Sequence, residues 1–197
     1  LVVYRRFAPD SPTLFGDKFA TRALQEFVQV EALRPMIEFK EDNMHQIFSH
    51  SGRKLHQILL FTDPSAEYHE GVVSVMSEAY PSYKGSCVNV LVDATLESSS
   101  KVLDFFRVQK DQLPAVRGFD QAANKKYGPA EPVLGSAGHT TAEFFSRFGQ
   151  LLGTGDLPPV LKSEVEPKDS GSTSGAVKTI VGQTFQRDVM EAAGSVF

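Results

Sequence analysis

The chain has 197 residues, 41% of them hydrophobic and 22% charged, with a formal net charge of −4. That is enough for one domain of ordinary size and a remainder. The acidic balance leaves no basic stripe for phosphates, so no nucleic-acid partner is expected. No apolar run reaches the roughly 18 residues that would span a bilayer, so no membrane insertion is expected.

Leu1–Phe7 reads as a strand, running into the turn chemistry of Ala8-Pro9-Asp10. Phe19–Val30 reads as an amphipathic helix, with Phe19, Ala23, Phe27 and Val30 at helical spacing. A strand and one helix cannot enclose a core. We expect residues 1–32 to be the end of a preceding domain, and the chain to be a segment of something longer.

Pro35–Phe39 starts a fresh unit as a strand, and Asn43–Phe48 follows as a short helix. Leu55–Phe61 is a strong strand, whose continuous run Ile58-Leu59-Leu60-Phe61 suits burial on both faces. Asp63-Pro64 supplies an N-cap and a first-turn proline for a helix continuing through Tyr68, Val72, Val75, Met76 and Ala79. Val88–Val92 is the next strand, Ser98–Phe106 a helix, and Pro114–Phe119 a strand. Lys125-Lys126-Tyr127 is predicted as an edge strand. Thr140 and Glu143 form a capping box before a helix carrying Phe144, Phe145, Phe148, Leu151 and Leu152.

The order from Pro35 to Leu152 is thus β-α-β-α-β-α-β-β-α. It implies an α/β domain with a partly parallel sheet and helices on both faces. Residues 153–175 turn to Gly, Pro, Ser and acidic residues, a linker composition. Val177–Val181 reads as a new strand and Phe185–Ala192 as a helix, the opening of another domain.

Little in the sequence supports catalysis. Cys87 is the one cysteine, so neither a disulfide nor a dithiol can form within the chain. It sits in the strand pattern Ser86–Val90 with no base beside it in sequence, the setting of a core residue. His45 and His50 lie five apart, off a single helix face, and no His-x-x-x-His pair or second cysteine exists, so no metal site is expected. The serine-rich stretches lack a nucleophile-elbow context. Gly153-Thr154-Gly155 follows a helix and lacks dinucleotide-loop spacing. No cofactor is expected.

Four blocks resemble the b′ domain of the protein disulfide isomerase family: Pro35–Phe39, His56–Phe61, Leu103–Phe106 and Leu113–Arg117. Leu161–Glu164 resembles the x-linker that follows b′, Ala176–Phe185 the start of the catalytic a′ domain, and Leu1–Val30 the end of the b domain. The resemblance implies a redox-inactive thioredoxin-like fold. The implied organisation is an end of b at 1–32, a b′ domain at 33–152, an x-linker at 153–175 and the start of a′ at 176–197. It also implies a parent thiol-disulfide isomerase of the endoplasmic reticulum lumen, whose chemistry lies in Cys-x-x-Cys motifs that this segment lacks. The implied partners are unfolded or partly folded polypeptides and adjacent thioredoxin-like domains of the same chain.

By position, the family's apolar b′ pocket carries over to Phe39, Phe48, Val90, Val102 and Phe105, with Ile47 as neighbour. Read from the residues alone, each of these is equally a core position, and strand parity is open without a register. Leu157, Val160 and Leu161 are candidates for a linker cap over the pocket, or else part of a solvated spacer. The family also implies a cis peptide bond at Pro114. The alternative function is an architectural or partner-subunit-binding module that holds no client.

Overall fold

The computed structural model describes residues 2–6, 8–16, 20–32, 34–43, 47, 55–129, 140–160, 180–182 and 184–191. Residues 1–158 form one compact unit and residues 159–197 a second.

Within the first unit, β1 (Val2–Arg5) pairs antiparallel with β2 (Ala8–Leu14). The second strand is absent from the sequence reading because its Ala-Pro-Asp-Ser-Pro-Thr-Leu composition looks like turn. Proline is tolerated here because the strand belongs to a two-stranded ladder, where edge positions need no donor. Helix α1 (Thr21–Glu31) packs behind this hairpin, with Phe27 edge-on to Phe15.

The main sheet runs β3 (Ile37–Glu38), β5 (Cys87–Asp93), β4 (His56–Thr62), β6 (Ala115–Asp120), β7 (Lys125–Tyr127) in spatial order. β3, β5 and β4 are parallel, while β6 and β7 are antiparallel to their neighbours. β4 is the centre. Its residues Ile58, Leu60, Leu59 and Phe61 are all fully buried, because alternate side chains enter opposite layers.

Ile58 and Leu60 enter the layer made with α2 (His69–Ala79) and α4 (Ala142–Thr154), through Val72, Met76, Phe144, Phe145, Phe148 and Leu152. Leu59 and Phe61 enter the layer made with α3 (Ser100–Phe106), through Leu103, Phe106, Val90 and Phe119. Gly149 of α4 is required by close approach: a Cβ there would stand 2.3 Å from the ring of Tyr83. Gly155 ends α4 in the left-handed region at φ 82°.

Two helix starts differ from the sequence reading. α2 begins at His69, because Asp63 forms a turn instead, its Oδ1 accepting from Ser65 N and Oγ at 2.8 and 2.7 Å. α4 is capped by Thr141, whose hydroxyl accepts from Phe144 N at 3.2 Å. The expected Thr140–Glu143 capping box is therefore not formed, since the cap lies one residue later. Of the expected Asn43–Phe48 helix, Asn43 closes a short 3-10 turn, Ile47 is helical, and the rest lies outside the described residues.

In the second unit, Thr184 closes a turn onto the Val181 carbonyl, N to O 2.9 Å, ahead of a π-helical turn at Gln186–Met190. Most of the expected Val177–Val181 strand lies outside the described residues.

Candidate functional site: an aromatic face on the third helix

The sheet sends Val90, Leu59, Phe61, Ala115 and Phe119 into one layer, which Phe39 and Ile47 join from the β3 side. Parity places them there: Ile37 is opposite Val90, Leu59 is opposite Val90, and Phe61 is opposite Ala115. Phe39, Ile47 and Val90 are buried in this layer. Val102 is partly exposed and packs on the layer from α3. Phe105 is 43% exposed. Phe48 lies outside the described residues.

Phe105 is the ring that reaches solvent from a closely packed aromatic group. It stands edge-on to Phe106 at 5.0 Å and to Phe119 at 5.6 Å, and Phe106 meets Phe61 at 5.7 Å. Edge-to-face pairs fix ring orientation, so the exposed ring is held rather than free. The Lys126 ammonium lies 3.4 Å from the Phe105 ring centre and donates to the Phe105 carbonyl, which ties β7 to the end of α3. α3 stops there because Arg107 adopts φ 53° in the left-handed region.

The structure therefore divides the candidates. Phe39, Ile47 and Val90 are buried in the apolar layer, while Val102 is partly exposed and Phe105 half-exposed. Phe106, Phe119 and Lys126 belong to the same group and were not singled out from sequence. The pair Phe105-Phe106 could have indicated Phe106, since adjacent residues on a helix face different ways, while Phe119 and Lys126 join only through strand pairing. The peptide bond Leu113–Pro114 is cis, and Leu113 packs on the same layer.

Leu157 is placed otherwise than as a linker cap. It is buried in the opposite layer, beneath α4, with its amide N donating to Leu151 O at 3.3 Å. The chain turns back at Gly155, so Leu157 closes the domain. Val160 is exposed and belongs to the second unit, and Leu161 lies outside the described residues.

Cys87 is fully buried against α4, its thiol donating to Gly149 O at 3.3 Å, and burial pushes its pKa up to about 12. A thiol so placed is not a nucleophile. Among the described residues no cluster of metal-ligating side chains occurs, and no helix is long and apolar enough to cross a membrane.

A parallel-antiparallel sheet with helices on both faces and a cis-proline before its antiparallel strand defines a thioredoxin-like domain. The thioredoxin-like domain family matches residues 1–133, and the chain belongs to that family. Similarity to protein disulfide-isomerases runs along the whole chain. The rabbit (Oryctolagus cuniculus) protein disulfide-isomerase is 29% identical over 198 residues, 100% of this chain and 37% of that protein. Human (Homo sapiens) protein disulfide-isomerase A2 is 27% identical over 174 residues, 88% of this chain and 31% of that protein. The chain thus spans about a third of the length of these relatives. Among solved structures, the first thioredoxin domain of mouse protein disulfide-isomerase A4 superposes with a TM-score of 0.48 and 15% identity, covering 70% of this chain and 88% of that one. With a single cysteine, the chain holds no disulfide-forming pair.

Proposed function

We propose that this chain is the non-catalytic, polypeptide-holding region of a protein disulfide isomerase, acting in the endoplasmic reticulum lumen beside thioredoxin-like domains that carry the thiol chemistry. In this reading residues 1–32 end a b domain, the b′ domain that opens at 33 extends through Leu157, the linker follows to 175 and 176–197 open a′. The single supporting observation is Phe105: a ring 43% exposed, fixed edge-on in an aromatic group and backed by an apolar layer, in a chain without a dithiol. A site for many sequences needs apolar surface, which Val102 and Phe105 offer beside the Lys126 ammonium that lies on the Phe105 ring.

Contact with about 400 Å² of apolar surface returns about 10 kcal/mol gross at ~25 cal/mol per Å². Association and ordering consume much of it, leaving binding in roughly the micromolar to millimolar range. Such weakness suits a holder whose client must leave.

The test is a titration of unrelated unstructured peptides against the chain and its Val102→Trp and Phe105→Trp variants, with circular dichroism as the folding control. Weak binding of several peptides, reduced about fivefold or more by either tryptophan, supports the reading. Unchanged affinity in a folded variant overturns it, and strong binding of one partner alone favours the architectural module.

A further inference from the structure

Arg117 stands between Ala115 and Phe119 on β6, opposite Leu59 of β4. Leu59, Ala115 and Phe119 all belong to the α3-side layer. Residues directly opposite in an antiparallel pair, and alternate residues along a strand, share a face. Arg117 therefore emerges on the same face as the aromatic group, one pleat from Phe119, whose ring is 5.6 Å from exposed Phe105.

Among the described residues no acidic side chain pairs with its charge. Arg117 is half-buried, and its Nη1 donates to the Val116 carbonyl at 2.9 Å. Among the described residues the ion pairs join Arg5 and Lys84 to Glu31, Lys40 to Glu38, and His56 to Asp120, and none includes Arg117. Burial holds its pKa below the ordinary arginine value, with no acidic neighbour acting the other way. A guanidinium has five N–H donors in a fork that matches a carboxylate. A partly desolvated cation without a counter-charge is the group that gains most from an arriving anion.

We infer that Arg117 is a specificity-determining residue of the polypeptide site, taking a carboxylate of the bound segment next to the apolar side chain that docks on Phe105. The inference rests on the polypeptide-holding reading above. An Asp or Glu side chain and a free C-terminus offer the same chemistry. A segment with an acidic group close to a large apolar one is preferred over its neutral counterpart.

Anisotropy titration of fluorescein-labelled, unstructured peptides against the whole chain tests this. The reference peptide carries Phe with Glu two residues on and an amidated C-terminus. A second replaces Glu with Gln. A third has Gln and a free C-terminus directly after the Phe segment. Glu to Gln should weaken binding about tenfold, the scale of one charge-assisted pair. Arg117→Met should erase that difference, Arg117→Lys should keep part of it, Lys126→Met at the neighbouring cation on the Phe105 ring should leave most of it in place, and added salt should shrink it. Recovery of affinity in the free-acid peptide assigns the terminal carboxylate to Arg117 as well, and no recovery confines the role to side chains. Equal binding of all three peptides, with binding still lost in Phe105→Trp, overturns the role of Arg117 and leaves the polypeptide site standing. Failure of every peptide to bind removes both. The peptide substitutions leave the protein untouched, so misfolding of a variant cannot mask the outcome.

Discussion

The two faces of one sheet have been built to different ends. On the α2–α4 side, Phe144, Phe145 and Phe148 interlock with Ile58, Leu60 and Met76, and all are buried. Phe144 and Phe148 stack at 5.7 Å, and Gly149 lets the Tyr83 ring approach the α4 backbone. On the α3 side, the apolar layer ends in a ring left 43% exposed and in Arg117, which has no carboxylate partner among the described residues. Packing that can be completed was completed on one face and left unfinished on the other. The lesson is that the finished face supplies the stability that makes an unfinished face tolerable, and the proposed polypeptide site draws on the unfinished one.

That contrast can be broken from the sealed side first. Phe148→Ala removes a fully buried ring from α4 and should cost about 4 kcal/mol, read as a lower urea midpoint. Peptide affinity of the fraction still folded should be unchanged. A matching loss of affinity at low urea would mean that the two faces are coupled and the division is wrong.

The junction of the hairpin with the sealed side gives a middle-sized effect. Buried Glu31, at the end of α1, accepts from Arg5 Nη1 at 2.6 Å, Lys84 Nζ at 2.8 Å and Thr13 Oγ1 at 2.9 Å. Burial alone would raise its pKa, but the hydrogen bonds from Lys84 and Thr13 and the charges of Lys84 and Arg5 hold it below the ordinary glutamate value. A carboxylate with a depressed folded-state pKa contributes stability above its unfolded pKa. The contribution is lost as pH falls through the folded value. Stability should therefore decline from about pH 4.5 downward, and Glu31→Gln should cost about 3 kcal/mol at pH 7 and flatten that acid limb. An unchanged acid limb in the variant would remove Glu31 from the account.

The smallest stability effect belongs to the open face. Phe105→Ala should cost only about 1 kcal/mol, since its contribution is a pair of edge contacts from a half-exposed position. The same change should reduce peptide affinity more than any substitution on the sealed side. A large stability loss with unchanged affinity would make Phe105 a core residue.

Much of this was legible in the residues. The run Ile58–Phe61 announced a strand covered on both sides, and the structure makes it the central strand, buried from Gln57 to Thr62. The spacing of Phe144, Phe145 and Phe148 placed α4. Strand β2 was hidden, because its prolines and polar residues read as turn until pairing with Val2 and Val3 supplied the ladder. The start of α2 was misplaced because Asp63-Pro64 satisfies a turn and a helix cap alike, and only the backbone decides between them.

By itself the sequence determined the alternation of strands and helices, the redox silence of a chain with one cysteine, and the resemblance of its ordered blocks to protein disulfide isomerases. Local patterning and composition are enough for these, since each depends on neighbours along the chain. Only the tertiary structure decided which phenylalanines of this layer are buried and that Phe105 is left exposed, that Leu157 lies under α4, and that Arg117 shares a face of the sheet with Phe119. Those facts depend on strand register and on what covers each layer, and a period of two carries no information about which side is later closed.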